Sequence, residues 1–233
     1  MSINIAIDGP AGAGKSTIAK LIARKLNYIY VDTGAMYRAM GLFFMEKGFS
    51  PDDETAINGA CGEADISIAY ENGSQQVYLN GKNVTDRLRT EEAGKWASAT
   101  SKYSAVRAKL VEMQQKIAAS ENVVMDGRDI GTVVLPGADL KIYLTASAET
   151  RARRRFQELT EKGIPCKIEE IEQDIRNRDY QDMHRENSPL KKAEDAVCLD
   201  SSHMSIEEVA GTIIGYLSGT DGEKQKKGRM LRS

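Results

Sequence analysis

Lys15, Ser16 and Thr17 close a stretch that also holds Gly9, Gly12 and Gly14. Residues of these types at this spacing suit one task, gripping the phosphates of a nucleotide. Glycine lets the backbone take conformations and close approaches that a side chain forbids. Gly9, four residues, then Gly14-Lys15-Ser16 is the phosphate-loop pattern G-x-x-x-x-G-K-[ST]. Gly9, Pro10, Ala11, Gly12, Ala13, Gly14, Lys15, Ser16 and Thr17 are therefore expected to wrap a nucleoside triphosphate, with backbone N–H groups around a phosphate. The Lys15 ammonium would reach the terminal phosphates and the Ser16 hydroxyl would ligate Mg²⁺. The helix that follows would point its positive end at the anion.

Other charged residues recur in short clusters. "DTGAMYR" supplies Thr33, Gly34 and Arg38, and "MDGRDIG" supplies Asp126, Gly127, Arg128 and Asp129. Arg151, Arg154 and Arg155 stand at i, i+3 and i+4, one face of a helix. Arg178, Asp182 and Arg185 repeat that logic at i, i+4 and i+7. Arginine suits phosphate because its planar fork makes paired hydrogen bonds and never loses its charge.

Five short apolar runs must position these clusters: 3–7, 28–31, 123–125, 140–144 and 196–199. Helical spacing fills much of the chain between them, including 105–119, 148–159 and 206–217. Alternating strands and helices predict a parallel sheet covered on both faces. Four of the runs are followed by aspartate (Asp8, Asp32, Asp126 and Asp200). Ligands of such sheets bind beyond the carboxyl ends of the strands. Between about 51 and 96 the pattern changes to apolar/polar alternation around Asn72-Gly73 and Asn80-Gly81, two hairpin signals. A small antiparallel insertion, separate from the parallel core, is expected there. From 151 to 185 the chain is densely charged, with a Gly163-Ile164-Pro165 break between two helices, which suits either a solvated helical pair or a lid that closes over phosphates.

At 233 residues, 41% hydrophobic and 28% charged, the chain suits one large domain with a substantial core. A net charge of −2 gives no basis for generic nucleic-acid binding. Cys61, Cys166 and Cys198 form no C-x-x-C pair, which suggests reduced thiols in a cytoplasm, and two histidines argue against a zinc cluster. No uninterrupted apolar span reaches membrane length. The polar, Gly/Lys-rich end, 221–233, is expected to be a disordered tail.

In order, "IDGPAGAGKST", "VDTGAMYR", "DGRDIGTVV", "KIYLTAS" and "RDYQDMHRENSPL" resemble the bacterial cytidylate kinase family over nearly the whole chain. The phosphate loop alone marks only a superfamily, whereas the ordered set is highly specific. The resemblance implies an α/β, P-loop nucleoside monophosphate kinase fold, a five-stranded parallel sheet flanked by helices. It implies a core of 1–50, 104–150 and 186–220, an antiparallel NMP-binding insertion at about 51–103 and a helical lid at about 151–185. The implied activity is transfer of the ATP γ-phosphoryl group to CMP or dCMP with Mg²⁺, by a cytoplasmic monomer. Thr33, Ser98, Arg107 and Asp129 would then lie near the acceptor nucleotide. Arg38, Arg128 and Arg185 would hold its phosphate, and Arg178 with Asp182 would face the ribose. In the lid, Arg151 and Arg155 are the favoured contacts to the transferring phosphoryl group, with Lys15, Arg128 and Arg185 completing the catalytic set.

Readings from other classes make different demands. A regulatory GTPase would carry N-K-x-D and D-x-x-G, and a transport ATPase an L-S-G-G-Q-like signature; neither is present. A small-molecule kinase of the shikimate kinase type would need no ribose or base contacts. A non-catalytic module would bind ATP without acceptor-dependent ADP release.

Overall fold

The computed structural model describes residues 2–71 and 74–230. β1 (Asn4–Asp8), β2 (Ile29–Asp32), β6 (Val123–Gly127), β7 (Leu140–Thr145) and β8 (Val197–Asp200) form one parallel sheet, in the order β2-β6-β1-β7-β8. All five expected strands are present, with ends shifted by one or two residues. Each is apolar because both faces of the sheet are covered. Ile5, Ile7, Tyr30, Val124, Ile142 and Leu144 pack with Ile18 and Ile22 of α1 (Lys15–Leu26) and Ile213 of α8 (Ile206–Met230). Ala6, Val31, Val123 and Met125 belong to the opposite cluster, with Met36, Met40 and Phe44 of α2 (Thr33–Glu46) and Leu110 of α5 (Ser104–Ser120).

The insertion holds α3 (Glu54–Ala60), β3 (Ile66–Glu71), β4 (Ser74–Leu79), β5 (Lys82–Asn83) and α4 (Glu91–Thr100). β3, β4 and β5 pair antiparallel, as the alternation predicts. Asn80 and Gly81 both take positive φ, 48° and 77°, which is what a tight two-residue hairpin requires. The Asn72-Gly73 turn lies outside the described residues; its flanks, Glu71 and Ser74, pair with each other. The sheet is separate from the parallel one, but its core is not. Ile57, Ile66, Val77, Leu79 and Leu88 share a cluster with α2 and the sheet face beneath it. α2 is apolar on more than one side, so it is sandwiched between the two layers. Each such side chain contributes about 1.5–3 kcal/mol on full burial, so the insertion is fixed by the core itself. The Tyr70 hydroxyl also donates to the Tyr30 carbonyl at 2.8 Å, joining β3 to β2.

α6 (Ala148–Glu161) starts at Ser147, whose hydroxyl accepts from Thr150 N at 3.1 Å, and ends near Gly163 at φ 69°. α7 (Ile168–His184) contains no fully buried residue, and α6 buries only Arg151 and Ala152. With so little apolar burial, this pair is the part of the fold best suited to move. At the other end, α8 does not stop at 217, where the apolar spacing fades. It continues to Met230, through most of the segment expected to be a disordered tail. The physical reason is propagation: an established helix extends cheaply through Glu, Gln, Lys and Arg.

Candidate active site

The three glycines of the phosphate loop all take positive φ: 148° at Gly9, 74° at Gly12 and 86° at Gly14. A Cβ at Gly9 would lie 1.9 Å from the Leu144 carbonyl oxygen, so the loop can leave β1 only through a glycine. Gly14 caps α1, whose first residue is Lys15. The Lys15 ammonium is buried and donates to the Pro10 carbonyl at 2.7 Å, across its own loop.

At the carboxyl ends of the strands lie three aspartates with different tasks. Asp8 accepts from the backbone N–H groups of Ile130 and Gly131, each at 2.7 Å, at the start of a π-helical turn (Ile130–Val134) after β6. It thereby ties the phosphate loop's strand to the segment carrying Arg128 and Asp129. Burial, opposed by those two N–H groups, pushes its pKa up to about 6. Asp32 caps α2 through Ala35 N at 2.8 Å and pairs with Arg38 at 3.2 Å. Asp126 accepts from the Ser16 hydroxyl at 2.9 Å and from the Tyr30 hydroxyl at 2.8 Å. Burial, then the facing Asp32 charge, raises its pKa.

A cavity of about 260 Å³ opens between the phosphate loop and the elements α2, α4, α5, the β6 end and α7. Thr33, Arg38, Ser98, Arg107, Arg128, Asp129, Arg178, Asp182 and Arg185 all line it, beside Lys15 and Ser16. Every residue expected near the acceptor is thus brought to one place by five elements. Arg107 and Asp129 form a buried ion pair, and Arg107 also faces the Tyr37 ring at 5.7 Å. Arg128 Nε donates to Asp182 at 2.7 Å, so Arg128, rather than Arg178, is that carboxylate's hydrogen-bond partner. Burial works against ionisation of Asp182, but Arg128, Arg178 and Arg185 together outweigh it and hold the pKa below the usual carboxylate value. For Asp129 the balance is reversed: burial outweighs Arg107 and Arg185, and the pKa is raised. Arg38 Nε and Arg185 Nη2 are buried donors with no hydrogen-bond partner. Leaving such groups unpaired is costly, and both arginines line the cavity, where an anion or another acceptor would supply the missing partner.

A second cavity, of about 710 Å³, lies beside the phosphate loop, lined by Gly12 to Ile18, Ser201, Met204, Val209 and three arginines of α6. Arg151, Arg154 and Arg155 all border it, but in different states. Arg151 is buried and donates to Ala146 O, to Ala11 O in the loop and to both oxygens of Asp179 on α7. Arg154 holds the Ser201 carbonyl at 2.7 Å. Arg155 is exposed and pairs with Glu158 on its own helix.

Burial, with a further push from the Arg128 charge, lowers the Lys15 pKa to about 7. At pH 8 the free protein would hold Lys15 largely neutral, while a bound triphosphate favours the ammonium. ATP binding at pH 8 is therefore expected to take up close to one proton, seen as a binding enthalpy that varies with the ionisation enthalpy of the buffer. Uptake that persists undiminished in Lys15→Ala would assign the proton to another group.

Sequence reasoning missed Asp8, Tyr30, Tyr37, Ser101, Asp179 and Ser188. For Asp8 a signal existed, an aspartate at a strand end, but its partners are more than 120 residues away. Asp179 neighbours Arg178 in a helix crowded with charge, and nothing local separates it from a solvated residue.

A family profile described as cytidylate kinase matches residues 5–218. A cytidylate kinase of Caldicellulosiruptor bescii is 52% identical over 212 residues, covering 91% of this chain and 94% of that one. A cytidylate kinase of Halalkalibacterium halodurans is 48% identical over 215 residues, covering 92% and 97%. Among solved structures, a gluconokinase from Sinorhizobium meliloti superposes with a TM-score of 0.52 at 14% identity, over 97% of each chain, a likeness of fold alone.

Proposed function

The chain belongs to the cytidylate kinase family, and from that premise we propose how its residues move the γ-phosphoryl group of ATP to CMP or dCMP, giving ADP and CDP or dCDP. One observation carries the residue-level reading: the nine acceptor-side residues line a single cavity that also reaches Lys15 and Ser16.

Phosphoryl transfer asks for positioning and charge stabilisation rather than covalent catalysis. The acceptor oxygen belongs to a phosphate monoester whose second pKa is about 6, so at neutral pH no strong base is needed. The obstacle is repulsion between two polyanions. Arg38, Arg128 and Arg185 hold the acceptor phosphate, the unpaired donors of Arg38 and Arg185 being completed by its oxygens. Lys15 and the loop N–H groups hold the donor. Arg178 and Asp182 face the ribose, and Ser98, Arg107 and Asp129 the base. Thr33 donates to the Asp126 carbonyl at 2.7 Å, which fixes the start of α2 against β6. Arg151 bridges loop and lid, and Arg155 swings inward when the lid closes, exchanging Glu158 for phosphate.

The oxygen donors Ser16 and Asp126, side by side, suit Mg²⁺, which takes most of its ligands from phosphate and water. Among the described residues no three His, Cys, Asp or Glu side chains converge as a protein-built cage, in keeping with an ion that comes with the nucleotide. When bound, it supplies charge neutralisation at the β- and γ-phosphate oxygens. The same reading makes the chain a cytoplasmic monomer whose partners are its small-molecule substrates, with neither nucleic acid nor membrane. Its near-balanced charge and three free thiols support this. Among the described residues, no helix is long and apolar enough to cross a membrane.

A coupled ADP-release assay with CMP, dCMP, UMP, AMP, GMP and shikimate tests the assignment. CMP and dCMP are expected to drive ADP release well above the acceptor-free rate, and the others to do so weakly. Equal release with all acceptors, or with none, would overturn it.

A further inference from the structure

Ser188 is one of three non-glycine residues with positive φ among the described residues, at 49°. The left-handed region costs an ordinary L-residue about 1–2 kcal/mol. Pro189 follows, and a residue before proline is normally pushed toward extended backbone. Such a conformation persists only where its surroundings over-determine it. They do so here. Arg185 N donates to Gln181 O at 3.0 Å, Leu190 N returns to Asp182 O at 2.8 Å, and Leu190 is buried. Asn187 pins the same turn to Lys102 O at 2.8 Å, just ahead of α5.

In this conformation Ser188 takes hold of two arginines at once. Its hydroxyl accepts from Arg107 Nε at 3.2 Å, and its carbonyl accepts from Arg185 Nε at 2.8 Å. Both guanidinium groups turn another nitrogen to the same carboxylate. Arg107 Nη2 pairs with Asp129 Oδ2, and Arg185 Nη2 lies 3.7 Å from Asp129 Oδ1. Arg107 comes from α5 and Arg185 from the end of α7, two elements with like charges to bring together. Ser188 is not part of the cavity lining; it stands behind the arginines that are.

We propose that Ser188 is a positioning residue that yokes Arg107 to Arg185 and so sets the width of the Arg107–Asp129–Arg185 cluster for the acceptor nucleotide. The specificity side of this proposal rests on the reading that Asp129 and Arg107 meet the base. Without the hydroxyl, Arg107 keeps Asp129 and the Ser101 carbonyl but can swivel between them.

The test compares wild-type, Ser188→Ala and Ser188→Asn enzymes in full steady-state kinetics with CMP, UMP and ATP, alongside Asp129→Ala. Ser188→Ala is expected to raise the KM for CMP about tenfold, the loss of one hydrogen bond to a charged group. The KM for ATP and the Tm should stay near wild type, and the CMP-to-UMP ratio should narrow. Asparagine tolerates the left-handed region and carries an acceptor oxygen, so Ser188→Asn should recover most of the CMP affinity. A wild-type KM for CMP in Ser188→Ala, an equal rise for ATP, or no rescue by asparagine would each overturn the yoke. If instead Asp129→Ala leaves the CMP-to-UMP ratio unchanged, the base-reading assignment falls, while a tenfold CMP defect confined to Ser188→Ala still supports the yoke.

Discussion

Lys15→Ala is expected to lower kcat by about 10²- to 10³-fold, the effect of removing one preorganised charge contact worth about 3–4 kcal/mol. The ammonium sits at the N-terminus of α1, inside a loop whose shape is set by glycines and backbone rather than by the lysine. Its depressed pKa shows that its burial as a cation is uphill before nucleotide arrives. Removing it therefore takes away one loop hydrogen bond, to Pro10 O, but also an unfavourable charge. The Tm should stay within a few degrees of wild type. The measurements are kcat with CMP at saturating ATP and thermal unfolding of the same sample. Near-normal turnover in a folded Lys15→Ala enzyme would sink the phosphate-loop assignment.

The second large effect concerns base choice. Cytosine offers an amino donor at position 4 and an acceptor at position 3; uracil reverses both. Asp129, when ionised, only accepts, whereas Arg107 only donates and the Ser98 hydroxyl can also donate. The Asp129 carboxylate keeps one oxygen without a close hydrogen bond, since Arg107 occupies the other and Arg185 stays 3.7 Å from Oδ1. Uracil would set its carbonyl against the carboxylate and its N–H against the guanidinium. Mispairing of this kind can reject an analogue by about 10⁴-fold. The wild-type enzyme is thus expected to prefer CMP strongly over UMP in kcat/KM. Asp129→Ala should narrow that preference mainly by losing CMP activity. A wild-type ratio near one, or a ratio that the substitution leaves unchanged, would remove Asp129 from base reading.

The residues that lie close to their own signals were the readable ones. β1 is a run of β-branched residues ended by Asp8-Gly9-Pro10, and the glycine spacing after it has only one common use. The hairpin at Asn80-Gly81 is equally local, two residues with positive φ between alternating strands. The family motifs carried the acceptor set, and the structure gathers all nine members at one cavity. What stayed hidden depends on partners far along the chain. The π-helical turn at 130–134 exists because Asp8 holds its first N–H groups. The state of Arg151 depends on Asp179, 28 residues later on another helix. Helical spacing put Arg151 and Arg155 on one face, yet one is locked to the loop and α7 while the other is exposed and pairs within its own helix, and periodicity cannot separate them. The shared core of insertion and α2 was missed for a similar reason, since a helix apolar on more than one side does not reveal what covers the second.

The strand order has a consequence for how the protein comes into being. β1 leaves the ribosome before the other strands of its sheet, yet its neighbours there are β6 and β7, more than 110 residues downstream. Until those strands are synthesised, Ile5 and Ile7 have no sheet to join. The phosphate loop has no Leu144 carbonyl to close against. Pairings of such long sequence separation pay their loop-closure entropy before any contact rewards it, and they form slowly. Domains are otherwise built in the order of synthesis. Here the phosphate loop, at residues 9–17, is among the last features the nascent chain completes, so a product truncated before β7 lacks the Leu144 wall beside Gly9.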